Sequence, residues 1–308
     1  MGMMMEIKKI GIIANIQKRQ SAQHTRFLCD WLRGKGIQIL LEKEIAHELG
    51  IAGGLEIRQM AENVDLIVVF GGDGTILRLA HSICGIEVPI AGINIGRLGY
   101  LAGINPKEMC DVLAAILSGH IEIEKRMMLD VAIYISGQEP KHHVVLNDVA
   151  ISRGHFRRMV GMDAFIDDKY LATFEGDGII VATPTGSTAY SLSAGGPVIY
   201  PQMSCLVITP LCPHTLTNRP LISPAHVSVT VKMATTTHAP GAIVVLDGMI
   251  SYNLSADDVI SVKQSPFVTR MISSPLRSYW EILRTKLSWG RLTKEQPVLN
   301  HADQSQDT

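Results

Sequence analysis

Five consecutive residues, Gly71-Gly72-Asp73-Gly74-Thr75, combine close-approaching backbone with a single carboxylate. They follow a continuous apolar run, residues 66–70, and open a helical stretch, residues 75–84. The loop therefore stands at the carboxyl end of a buried parallel strand, where α/β proteins bind ligands. Glycine lets backbone approach a ligand, and a helix start offers free N–H groups and a positive dipole end to phosphate oxygens. The loop lacks the Gly-Lys-Ser/Thr ending of a Walker loop, and Leu77 stands where a dinucleotide fingerprint has its third glycine. Asp73 would repel a phosphate cradled among these amides. It suits a hydroxyl or a metal-bound phosphate, because an alcohol attacks phosphorus only once a base takes its proton. A second reading stays open: a tight turn in which Asp73 merely caps the helix.

The stretch 176–197 holds a second concentration of chemistry. Gly176-Asp177-Gly178 leads into the β-like run 179–182, then comes Thr183-Pro184-Thr185-Gly186-Ser187-Thr188-Ala189-Tyr190-Ser191-Leu192-Ser193. Hydroxyls suit ribose and base polar atoms, small residues leave room, and Tyr190 offers a flat surface. The competing reading is a solvated Ser/Thr loop. A purely solvated loop has no use for an aromatic among its small residues, which favours a binding role.

Other positions are less specific. Asn147-Asp148 ends the run 144–146 and reads as a turn or as a polar pair for ribose or a base edge. Asp247-Gly248 reads as a hairpin turn. His142-His143 has no third ligand at useful spacing and reads as exposed strand histidines. Arg153, Arg157 and Arg158 cluster beside His155, as solvated charges or phosphate contacts. The loop 92–100, with Gly96 and Gly99, follows another parallel strand and faces the same edge as Asp73.

The elements that must hold these groups fall into two classes. Up to about residue 120, strand and helix signals alternate: strands at 9–16, 37–41, 66–70 and 88–95, and helices at 21–32, 75–84 and from Asn105-Pro106 to about 117. That order predicts an α/β domain with a parallel sheet flanked by helices. From residue 121 the segments are short and β-rich: 121–135, 144–151, 164–166, 178–182, 227–232, 242–246 and 259–263. They predict a mainly β, sandwich-like second domain. Residues 277–287 read as a helix with Trp280, Leu283 and Leu287 on one face. The expected units are 1–120, 121–270 and a helical tail, 271–308.

The bulk properties narrow the function. The 308 residues are 46% hydrophobic and 19% charged, with formal net charge -1, enough for a large core and too balanced for a basic nucleic-acid or membrane surface. No run approaches a membrane span of about 20 apolar residues. The opening Met1–Glu6 does not resemble a secretory signal. The odd, scattered cysteines 29, 84, 110, 205 and 212 suit reduced thiols and a cytoplasmic protein, with neither a disulfide frame nor a zinc site.

Taken together, Gly71–Thr75, Asn147-Asp148, Asp177-Gly178 and the Thr183–Ser191 stretch resemble the NAD kinase family, in order and separation, from Lys9 to about Leu287. Lipid, sphingosine and phosphofructokinase-type enzymes share the first motif; the Thr183–Ser191 motif is far more specific. The resemblance implies Asp73 as general base on the adenosine 2′-hydroxyl. It implies an NAD site of Gly74, Asn147, Asp148, Thr185, Thr188, Ala189, Tyr190 and Ser193, with Asp177 toward the nicotinamide half. Tyr100, Arg158, Glu175 and Asp247 join that site, and Gly71, Gly72, Thr75 and Arg78 fall to the phosphates. It implies NAD and ATP as substrates, Mg2+ or another divalent cation arriving with ATP, no dedicated metal ligands, and a homo-oligomer (dimer or tetramer) with sites near a subunit boundary. Two departures stand out: Asp148 where Glu is usual, and Glu175 where relatives often have Arg. A lipid or sugar kinase explains Asp73 but not Thr183–Ser191, and a non-catalytic dinucleotide sensor does not explain Asp73.

Overall fold

The computed structural model describes residues 6–289, apart from 19, 97, 120–121, 155–158, 216, 235–240 and 275. The first half runs β1 (Lys9–Ala14), α1 (Ser21–Arg33), β2 (Gln38–Leu41), α2 (Lys43–Glu48), α3 (Ile57–Ala61), β3 (Leu66–Gly71), α4 (Asp73–Ser82), β4 (Ile90–Asn94) and α5 (Met109–Leu117). The strands lie parallel in the order β2-β1-β3-β4. Every residue of β3 is buried, as a strand covered on both faces must be. Helix α1 stops where expected, with Gly34 at its C-cap and Gly36 at φ 74°.

The second half is β-rich. It contains β5 (Ile123–Tyr134), β6 (Lys141–Val145), β7 (Asp148–Ser152), β8 (Val160–Ile166), β9 (Lys169–Gly176) and β10 (Gly178–Ala182). A 3-10 turn (Gly186–Thr188) and α6 (Tyr190–Ser193) follow, then β11 (Cys205–Leu211), β12 (Leu221–Pro224), β13 (Val229–Met233), β14 (Ala242–Leu246), β15 (Ile250–Leu254), β16 (Val259–Ile272) and α7 (Tyr279–Leu287). One antiparallel sheet is β12-β11-β10-β7-β14-β15. The other strands extend the first sheet through β16, which pairs with β5 and β13 and meets β4 with Met271 opposite Ile90. Apolar side chains such as Leu129, Val149, Val181, Val229 and Ile260 fill the space between the two sheets.

Three sequence expectations give way. The run 144–151 is two strands in different sheets, broken at Leu146-Asn147. Asn105-Pro106 does not start α5; Asn105 Oδ1 accepts the Lys107 N–H in a preceding turn, and the helix begins at Met109. His143 is half-buried, with Nε2 2.8 Å from the Tyr252 hydroxyl, and burial pushes its pKa down. No helix among the described residues is long and apolar enough to cross a membrane.

The tail helix is closed by a capping box: Ser278 Oγ accepts the Glu281 N–H, and the Glu281 carboxylate accepts the Ser278 N–H. It lies against the first half, with Ile282 over Gly103 and Lys286 Nζ 5.1 Å from the Tyr100 ring centre. Tyr279 and Trp280 pack on Tyr200 of the second half.

Candidate active site

Asp73 opens α4, yet its carboxylate does not cap that helix, whose N-cap is Gly72 in extended conformation. It turns instead to the loop after β4. Oδ2 accepts the Tyr100 N–H at 2.9 Å, and Oδ1 accepts those of Leu101 at 2.9 Å and Ala102 at 3.1 Å. A Cβ on Gly99 would lie 2.1 Å from Oδ1, so glycine is what lets the loop reach the carboxylate. The helix-capping reading therefore falls. Asp73 is held in one orientation between two glycine loops, and Oδ2 still has acceptor capacity. Beside it, Thr75 fills the space a Gly71 side chain would take, while Gly74 faces open space. Tyr100 is half-buried next to Asp73; burial first, then the Asp73 charge, raises its pKa.

A second carboxylate organises the facing loop. Asp247 sits in the three-residue β14–β15 hairpin loop, with φ 48° there and 69° at Gly248. Its Oδ1 accepts the N–H groups of Asn147 (2.7 Å) and Asp148 (2.9 Å), and Oδ2 that of Leu146 (2.8 Å). His81 Nε2, on the helix that Asp73 opens, lies 2.8 Å from Oδ2. This buried carboxylate explains why the chain breaks at Leu146-Asn147: three successive amides converge on one acceptor instead of pairing along a sheet.

The Thr183–Ser193 segment is built onto that break. Thr183 donates its N–H to the Asn147 carbonyl (2.8 Å) and its hydroxyl to the Leu146 carbonyl (2.6 Å). Gly186 lies so close that a Cβ would be 2.1 Å from the Asn147 oxygen. Thr183, Thr185, Ser187 and Ser191 are buried, which removes the solvated-loop reading. Ser187 binds the Pro184 carbonyl, and Ser191 pairs with Thr209. Thr185 Oγ1 is buried with no hydrogen-bond partner among the described residues. Thr188 donates to the Thr185 carbonyl, Ala189 joins the 3-10 turn to α6, and Ser193 is exposed at the end of α6. Tyr190 is 48% exposed, leaving its ring free for stacking. Asp148 is buried, accepts the Tyr190 N–H, and has its pKa pushed up to about 7 by burial and by the Asp247 charge.

A cleft of about 760 Å³ is lined by Gly72, Gly74, Thr75, Arg78, Asp247 and Gly248, together with Asn15 and Lys18. The Asp73 carboxylate, Tyr100, Asn147-Asp148 and the Thr185–Ser193 residues are not among those that line it. Two expected residues stand apart from the Thr183–Ser193 segment. Asp177 lies at the opposite end of β10 from Thr183, roughly 20 Å along the strand. There it pairs with Arg153, and Glu175 is exposed nearby on β9. Arg158, with Arg157 and His155, lies outside the described residues. Sequence reasoning missed Lys18 and His81. Lys18 was findable, since it follows β1 at the same sheet edge as Asp73. His81 was not, because its partner is 166 residues away.

Relatives carry the same two-part organisation. The family profile described as ATP-NAD kinase N-terminal domain matches residues 10–121, and that described as ATP-NAD kinase C-terminal domain matches 146–274. The chain is 42% identical over 285 residues to the NAD kinase of Syntrophotalea carbinolica, covering 92% of this chain and 99% of that protein. It is 39% identical over 284 residues to the NAD kinase of Geotalea daltonii, again covering 92% and 99%. In fold it superimposes on yeast NADH kinase complexed with NADH, with a TM-score of 0.86 at 24% identity, covering 94% of this chain and 91% of that one. It also superimposes on an NAD kinase from Archaeoglobus fulgidus in complex with ATP, with a TM-score of 0.69 at 25% identity, covering 91% and 97%. With both halves matched, and full-length relatives well above 30% identity, the chain belongs to the NAD kinase family.

Proposed function

We propose that this chain transfers the γ-phosphoryl group of ATP to the 2′-hydroxyl of the adenosine ribose of NAD, giving NADP. The observation that carries the reading is the Asp73 carboxylate, fixed by three backbone N–H groups and aimed by two glycine loops. Its Oδ2 accepts only the Tyr100 N–H among the described residues and keeps a lone pair for the ribose proton. The adenosine end lies against Asn147, Asp148, Thr185 and Tyr190, with Thr185 Oγ1 supplying a hydrogen bond and Tyr190 a stacking face. The Gly71-Gly72 turn and Arg78 steady the phosphates.

A divalent cation would arrive with the phosphates of ATP. Such a cation would draw negative charge off the transferring group. Glu175 and Asp177 sit too far along β9 and β10 to join their own chain's site. They enter an NAD site as contributions from a second copy, which makes the working protein a homo-oligomer. The direct test is incubation with NAD, ATP and magnesium, with NADP read by an NADP-specific dehydrogenase. NADP formation is expected; NAD binding without product would leave a dinucleotide sensor, and phosphorylation of a lipid or sugar instead would leave a different kinase.

A further inference from the structure

Lys18 takes no part in the chemistry described so far, yet it sits where three strand ends converge. It follows β1, and its ammonium donates to the Ile95 carbonyl just beyond β4. It lies 3.5 Å from where a Gly72 Cβ would be and 3.6 Å from that of Gly96. Both neighbours are glycines, and the ammonium lies at van der Waals distance from each. An ammonium has three donors, and the Ile95 bond uses one. The charge therefore stands in the cleft beside Gly72.

The same cleft opens sideways. Thr75, Arg78, Glu44 and Met249 are shared with an adjoining cavity of about 360 Å³, whose other walls include Ile13, Ala14, Ile57, Leu79 and Ile250. That cavity is within the size range of small-molecule pockets and is largely apolar. A glycine-lined cleft that holds Lys18 and Arg78 alongside Glu44 and Asp247, joined to an apolar pocket, matches a molecule with metal-bound phosphates at one end and a flat base at the other.

We infer that Lys18 clamps the terminal phosphates of the donor nucleotide and that the Ile13–Ile57–Leu79–Ile250 pocket receives its base. This rests on the kinase reading above and adds where the donor lies: on the β1 side of the Gly71–Thr75 loop, with the acceptor on the Asn147–Tyr190 side. Arg78, on the shared wall, spans the two ends of the donor. Lys18 acts as a positioning residue for transfer, drawing the γ-phosphate toward the loop that carries Asp73.

Calorimetric titration with MgATP, tripolyphosphate and NAD tests this on the full chain, with thermal melts to verify folding. Lys18→Met should weaken MgATP and tripolyphosphate about tenfold to a hundredfold, the scale of one lost charge-assisted contact, and leave NAD within twofold. Lys18→Arg, which keeps the charge, should recover most of that loss. Met249→Trp, filling the pocket from its rim, should weaken MgATP but spare tripolyphosphate. Unchanged MgATP binding in Lys18→Met, or an equal loss for NAD, would overturn the clamp. Tripolyphosphate weakened as much as MgATP by Met249→Trp would overturn the base pocket. If the wild type binds MgATP with this pattern but makes no NADP, the donor site stands and the acceptor assignment fails.

Discussion

The Asp73 carboxylate holds three backbone N–H groups and is the proposed base, and one substitution separates the two roles. Asp73→Asn keeps a single oxygen for the Leu101 and Ala102 N–H groups, and sets an amide NH2 against the Tyr100 N–H. Turnover should fall about 10²–10⁴-fold through loss of the base, while NAD still binds. Stability should fall by about 1–3 kcal/mol from the unsatisfied N–H, seen as a lower denaturation midpoint. Near-normal turnover would remove Asp73 from its role. Asp148 makes a separate prediction. Its pKa is about 7 in the folded protein against 3.8 for the ordinary carboxyl, so the native state holds a proton that the unfolded chain has released. Stability should therefore fall as pH rises between about 4 and 7, by at most about 1.4 kcal/mol per pH unit, and this contribution should level off above 7. Asp148→Asn should flatten that part of the profile in denaturant titrations, and an unchanged slope would assign it to other groups.

At the level of elements, the Asp247 hairpin is the part that ties the two loops together. Asp247→Ala removes the acceptor for three amides and the partner of His81, and should cost roughly 3–5 kcal/mol, because buried donors are left bare. His81→Ala keeps the three amide bonds and should cost much less, so the two melting curves should separate clearly. Gly99→Ala tests a different joint. Its methyl would collide with Asp73 Oδ1, so turnover should drop sharply in a protein that still folds, as judged by circular dichroism. What could be read from the chain alone follows the same division. β3, α1 and β14 were legible because an apolar run or a helical stripe meets a glycine or a tight turn within a few residues. The Gly71–Thr75 and Thr183–Ser191 segments were legible as breaks between elements, because glycines and small hydroxyl residues interrupt the apolar runs on either side. The break at Leu146-Asn147 was not, since its cause is a carboxylate a hundred residues away in sequence. The length of β16 was hidden too. Pro266 and a register shift between Gln264 and Val268 interrupt its alternation, so only its first five residues read as strand.

For the whole molecule, the separation of Asp177 from Thr183 at the other end of β10 makes assembly measurable. If Asp177 serves a neighbouring copy, Asp73→Asn and Asp177→Ala chains should each be poorly active alone. Co-refolding them should restore part of the turnover, because some mixed sites would then hold both carboxylates. No recovery on mixing would confine each site to one chain. The two halves are also joined inside each chain. Met128, Leu146 and Met271 pack among Val69, Ile76 and Ile90, and β16 completes the sheet that β4 would otherwise end. Severing the gene near residue 120 would therefore strip β4 of its cover and leave a row of unpaired amides beside exposed aliphatic side chains. The amino-terminal piece expressed by itself should clump, and remain soluble only when the missing strands are supplied alongside it.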